Sequence, residues 1–204
     1  MTPKFIYFDL GNVLLTFDRM IGFRRVAKLA GVEPEAVRAA ILDTGLLWKY
    51  EEGKLDAAGF HAAVQSDLGV KIPRDEFIAA NNDIFELNWP VLPIVGGLAA
   101  AGVRLGILSS ICDAHWEYCA ARYAILRLFP IRVLSYQVGA MKPAPAIYEA
   151  AAAAAEAAPG EIFFMDDLAP NVTGAQTLGW DAVQFTSARQ LAVDLEVRGV
   201  RFNF

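Results

Sequence analysis

Residues 4–15 read Lys-Phe-Ile-Tyr-Phe-Asp-Leu-Gly-Asn-Val-Leu-Leu, and they restrict the fold more than any other stretch. Residues 5–8 form an unbroken apolar run rich in aromatic and β-branched side chains, the pattern of a strand buried on both faces of a parallel sheet. The run ends in Asp9, a carboxylate too costly to bury unpaired, so a cation, donors or water must reach it. Gly11-Asn12 then allows a sharp turn that brings peptide groups close to a ligand. In open α/β sheets the crevice beyond such strand ends is where ligands bind.

The rest of the chain alternates, with one interruption. Phe23, Val26, Ala27 and Ala30 fall at helical spacing before Gly31, and Glu33-Pro34-Glu35 starts a second helix that Gly45 ends. A third helix is expected from Asp56 to Gly69 and a fourth over 74–85. Four helices without an intervening strand read as an inserted helical domain. Alternation then resumes, with strands expected over 103–108, 131–134, 162–165 and 182–185 and helices over 113–122, 147–158 and 172–178. The alanine-rich run near 150–158 is explained by an ordinary outer helix.

Composition narrows the function classes. The chain of 204 residues suits one domain with an insertion, and 55% hydrophobic against 20% charged residues excludes disorder. A net charge of −5 and a pI near 5.1 argue against nucleic-acid and anionic-membrane partners, both of which need a basic face. Cys112 and Cys119, the two cysteines, are expected as buried thiols. The stretch 5–10 is too short for a signal-peptide core and carries Asp9, so a cytoplasmic protein is expected. Pro93, Gly96-Gly97, Gly102 and Arg104 interrupt the apolar region 91–112, which excludes a membrane span there.

The strand ends deliver Asp9, Ser109-Ser110, Lys142 and Asp166-Asp167 to one rim. Carboxylates with a backbone carbonyl and water make the hard oxygen site that magnesium prefers, with substrate phosphate completing the shell. Lysine and serine complement phosphate oxygens by charge and hydrogen bonding. Without a cation the like charges on Asp9, Asp166 and Asp167 would raise one another's pKa. A carboxylate nucleophile beside a cation and a phosphate clamp implies phosphoryl transfer through an aspartyl phosphate.

Four segments in order, Phe8-Asp9-Leu10-Gly11-Asn12-Val13, Ile107-Leu108-Ser109-Ser110, Met141-Lys142-Pro143 with Ile147-Tyr148, and Phe164-Met165-Asp166-Asp167 with Asn171, resemble the haloacid dehalogenase superfamily, phosphatase branch, and especially its sugar-phosphate phosphatases. The resemblance implies a three-layer Rossmann-like α/β core with a parallel central sheet over 1–17 and 90–204, and a small four-helix cap over 18–89. It makes Asp9 the nucleophile and a Mg2+ ligand, Asp166 the second carboxylate on the metal, and Gly11 the donor of a backbone carbonyl. Ser109 and the Ser110 amide would bind the phosphoryl group and Lys142 would neutralise it. Asp167 joins the metal set, holding a metal-bound water or orienting Lys142 rather than binding the ion directly, and Asn171 supports the loop. Asn12 and Trp48 complete the expected substrate contacts, Trp48 as one of several cap residues, with Tyr50, Glu51 and Lys54, suited to facing the core.

One position departs from the pattern. Most phosphatases of this family carry a second aspartate two residues after the nucleophile, to protonate the leaving oxygen; here that position is Gly11. Asp18, where the chain turns from core to cap, is the expected substitute. The expected substrate is a small phosphorylated metabolite, and the protein a monomer or homodimer. Two rival readings follow: a 2-haloacid dehalogenase using the same aspartate, against which the paired Asp166-Asp167 argues, and a weakly active protein that binds phosphorylated ligands.

Overall fold

The structure, a computed structural model, describes residues 2–202. Its centre is a five-stranded parallel sheet of β1 (Phe5–Phe8), β4 (Leu105–Ser109), β5 (Ile131–Leu134), β6 (Ile162–Asp166) and β7 (Asp181–Gln184), in the order β5-β4-β1-β6-β7. Every residue of β1, β4 and β6 is buried, as their apolar sequences require of central strands covered on both faces. Side chains alternate between two cores. Ile6 and Phe8 pack on one face with helices α6 (Leu92–Ala100), α7 (Asp113–Arg122) and α11 (Ala188–Val197). Phe5 and Tyr7 pack on the other with α9 (Pro145–Ala155) and α10 (Ala169–Thr177). Gly106 in β4 makes room for those rings, since a Cβ there would lie 2.5 Å from Tyr7 Cε1 and 2.7 Å from Phe5 Cε1.

Between β1 and β4 the chain builds a second, smaller unit. A two-stranded antiparallel ribbon, β2 (Leu15–Phe17) with β3 (Phe85–Leu87), forms its stem. Beyond the ribbon stand α1 (Arg19–Ala30), α2 (Pro34–Arg38) running into a π-turn at Ala39–Asp43, α3 (Leu46–Glu51), α4 (Ala57–Leu68) and α5 (Arg74–Asn82). Phe23, Val37, Tyr50, Phe60, Val64 and Phe77 give this insertion a core of its own. The insertion therefore holds α3 in addition to the four expected helices. Its first helix begins where Asp18 caps it, the carboxylate accepting from Met20 N at 2.8 Å, and ends at Gly31 in the left-handed region. A short helix α8 (Ser135–Val138) follows β5.

Candidate active site

Asp9, Ser109 and Asp166 end or follow the three central strands, and because β1 lies between β4 and β6 all three reach one rim of the sheet. Lys142, from the loop before α9, arrives in the middle. Its ammonium lies 2.8 Å from Asp9 Oδ1 and 2.5 Å from Asp166 Oδ2, and it donates to Leu108 O at 3.0 Å. Its backbone N–H donates to Ser110 Oγ at 3.1 Å, which ties the lysine loop to the end of β4. Gly174 lets α10 press against this loop, because a Cβ there would lie 2.8 Å from Pro143 Cβ.

The carboxylates are held by a dense set of donors. Asp9 Oδ1 accepts from Leu10 N at 2.7 Å. Asp166 accepts from Leu168 N at 2.9 Å and from Asn171 Nδ2 at 3.0 and 3.1 Å, and Tyr148 fixes Asn171 by donating to its carbonyl. Asp167 Oδ2 accepts from Asn12 Nδ2 at 2.9 Å. Asn12 adopts φ 55°, a conformation that asparagine tolerates better than most residues, and this turn aims its amide across the rim.

Burial pushes the Asp9 carboxyl up; Lys142 opposes that shift, while the charge of Asp166 reinforces it. Burial also works against the Lys142 charge, but Asp9 and Asp166 outweigh it and the ammonium is held above the usual lysine range. One carboxylate oxygen each from Asp9, Asp166 and Asp167 lies within 4.8 Å of the others. Three hard anionic donors so close fit a small divalent cation such as magnesium.

These groups line a cleft of about 300 Å³ together with Gly11, Asn12, Ser109, Ser110, Met141, Leu168 and Asn171 from the core. Phe17, Arg19, Trp48 and Glu51 close it from the stem and the insertion. Of the site residues read from the sequence, the fold thus gathers Asp9, Gly11, Asn12, Trp48, Ser109, Ser110, Lys142 and Asp167 around the cleft, with Asp166 buried beneath it. Asp18 is not among them. Its side chain is 54% exposed, 3.6 Å from Arg24, and occupied in capping α1, so the turn from core to insertion points it away from the rim.

Arg19 is the addition, and Glu51, one of the insertion residues expected to face the core, joins it at the cleft. Arg19 lies two residues beyond the stem and carries no motif, so no sequence pattern distinguishes it from other surface arginines. Glu51 is 4% exposed, and its nearest charged partner is Arg19 at 3.7 Å. Burial pushes its carboxyl up to about 7, against the opposing pull of Arg19 and Lys142. A smaller cavity beside the cleft is bordered by Glu51, Arg19, Gly11, Phe17, Ser110 and His115. His115 is buried there, and burial lowers it to about 4. Gly11 itself is crowded: a Cβ would lie 2.8 Å from Phe17 Cε1, whose ring sits between Phe85 and the Arg19 guanidinium. A larger open depression of about 760 Å³ near Ile94, Ala192 and Phe202 has no acid cluster and lies away from the strand ends.

A profile of the haloacid dehalogenase-like hydrolases matches residues 3–179. The chain belongs to that family of hydrolases. D-ribitol-5-phosphate phosphatase of Bacteroides thetaiotaomicron is 26% identical over 197 residues, covering 89% of this chain and 91% of that enzyme. A crystal structure of a haloacid dehalogenase family enzyme from the same organism superposes with a TM-score of 0.81 at 25% identity, over 92% of this chain and 95% of the other. That enzyme in complex with magnesium and inorganic phosphate superposes with a TM-score of 0.80 at 24% identity, over 91% and 95%. Among the described residues no helix is long and apolar enough to cross a membrane.

Proposed function

We propose that this hydrolase is a Mg2+-dependent phosphomonoesterase acting on a small phosphorylated metabolite of the sugar- or alditol-phosphate class, with Asp9 as nucleophile. The observation that carries the reading is the Lys142 ammonium shared by Asp9 and Asp166, with Asp167 close enough for all three acids to face one cation. Asp9, Asp166 and Asp167 would hold the ion, with the Gly11 carbonyl. When bound, it would offset the crowded carboxylates and act as a Lewis acid on the phosphoryl oxygens.

The remaining work belongs to the chain. Lys142 keeps Asp9 ionised and places a positive charge beside the incoming phosphoryl group. Ser109 and the Ser110 amide hydrogen-bond its oxygens, and Asp9 attacks phosphorus to give an aspartyl phosphate that water then cleaves. Asn12 steadies Asp167 and Asn171 steadies Asp166. Trp48, at the mouth, covers the organic part of the ester, and a cleft of about 300 Å³ suits a metabolite rather than a polymer. The name of the ribitol-phosphate phosphatase relative supports this substrate class.

The test is inorganic phosphate release from a panel of alditol and sugar phosphates, with Mg2+ and with chelator. Release that falls at least about a hundredfold on chelation is expected. Chelation-insensitive halide release from a 2-haloacid would instead mark a dehalogenase, and tight binding of phosphate esters without turnover a binding protein.

A further inference from the structure

An alkyl phosphate cannot expel its alkoxide at neutral pH without a proton, so the site needs a donor facing the leaving oxygen. Four carboxyl groups belong to the rim. Asp9 and Asp166 are engaged by Lys142, and Asp167 is held by Asn12 on the core side. The fourth, Glu51, enters from the insertion at the end of α3 and borders the cleft along with Gly11, Ser109 and Ser110.

We propose, resting on the phosphatase reading above, that Glu51 is the general acid and base of the reaction, delivered by the insertion to a core that lacks a side chain at Gly11. In the first step an Asp9 oxygen bonds to phosphorus as the P–O(alkyl) bond breaks, and the leaving oxygen takes the Glu51 proton to depart as an alcohol. In the second, water bonds to phosphorus and gives a proton to the Glu51 carboxylate as the P–O(Asp9) bond breaks. Phosphate leaves, and both side chains return to their starting states.

Three observations support this. The Glu51 side chain is nearly closed off from solvent on the wall of the cleft, and its one ion-pair partner, Arg19, is a loose one at 3.7 Å. Its backbone is fixed to the core: Ser135 Oγ donates to Glu51 O at 2.5 Å and accepts from Ile111 N at 2.9 Å, joining α3 to the loop that follows Ser109-Ser110. Its proton affinity is also suitable, since a group near 7 both gives and takes protons at neutral pH. The charged or titratable groups around it are Arg19 from α1, Lys142 from the loop before α9, Cys112 and His115 at the start of α7, and Asp9 and Asp167 across the cleft. Arg19, 37% exposed and 3.7 Å away, opposes the effect of burial without cancelling it.

The experiment compares kcat/KM of wild type and Glu51→Gln, with Mg2+, on an alkyl phosphate from the panel and on 4-nitrophenyl phosphate, whose nitrophenolate leaves without a proton. The constant kcat/KM reports only the steps through phosphoryl transfer to Asp9. A loss of about a hundredfold or more on the alkyl ester, with less than about threefold on the aryl ester, is expected. The retained aryl activity also shows that the variant is folded. Equal losses on both esters, or none, overturn the assignment of Glu51 while leaving the phosphatase reading intact; no release from either ester by wild type overturns both. Should the variant not fold, the wild-type ratio of alkyl to aryl kcat/KM decides: a fall above about pH 7 supports Glu51, and a flat ratio overturns it.

Discussion

Asp9 sits at the tip of β1 with its proton affinity raised by burial, Lys142 opposes that rise, and in the proposed reaction this pairing would keep Asp9 a competent nucleophile. Asp9→Asn keeps the acceptor for Leu10 N and leaves Lys142 paired with Asp166. Turnover is expected to fall by roughly a thousandfold or more with the melting temperature nearly unchanged, checked by phosphate release and thermal unfolding. Glu51 gives a pH dependence with a definite sign. Its carboxyl titrates near 7 in the fold against an ordinary value of 4.5, so between these values the native state holds more protons than the unfolded chain. Stability therefore falls as pH rises across that window and is flat in this respect above it. Glu51→Gln removes the slope, so the variant is expected to gain on wild type from pH 4.5 to 7, by an amount on the order of 3 kcal/mol. Denaturant midpoints of the two proteins at several pH values check this, and parallel curves would contradict it.

At the scale of elements, the junction between α3 and α8 matters most. Gly53 has φ 72°, and a Cβ there would run into the Tyr136 carbonyl oxygen, so only glycine lets the end of α3 lie against α8. Gly53→Ala is expected to cost roughly 1–3 kcal/mol in chemical denaturation and to lower kcat/KM, because Glu51 two residues earlier loses its seat. A six-residue helix suffices to bring it there. That helix was not legible in the sequence, since Gly45 reads as a stop and Leu46–Glu51 is too short to show a period. The ribbon strands Leu15–Phe17 and Phe85–Leu87, three residues each, are below the length at which alternation can be counted. Helix α11 was hidden by its charges, although Leu191 and Leu195 are buried at helical spacing. The long elements were plain, because Phe5–Phe8 and Ile162–Asp166 have the apolar continuity that only a covered central strand sustains.

For the molecule as a whole, the strand order β5-β4-β1-β6-β7 explains why the core half of the site could be read from the chain in detail, whereas the insertion gave only candidates such as Trp48 and Glu51. A parallel sheet sends every strand end to the same rim, so Asp9, Ser109 and Asp166 are neighbours by topology alone. Arg19 and Glu51 reach that rim through the packing of the insertion, where Tyr50 stacks on Phe60 and donates to Asp113 of α7, and such packing leaves no local signature. The ring of Phe17 has a consequence for how this molecule can change. An aspartate introduced at position 11 would displace that ring toward Arg19, the cation beside Glu51. An acid at position 11 and the one that the insertion is proposed to lend would thus border the same small cavity, and the first could be accommodated only if the Phe17 ring moved.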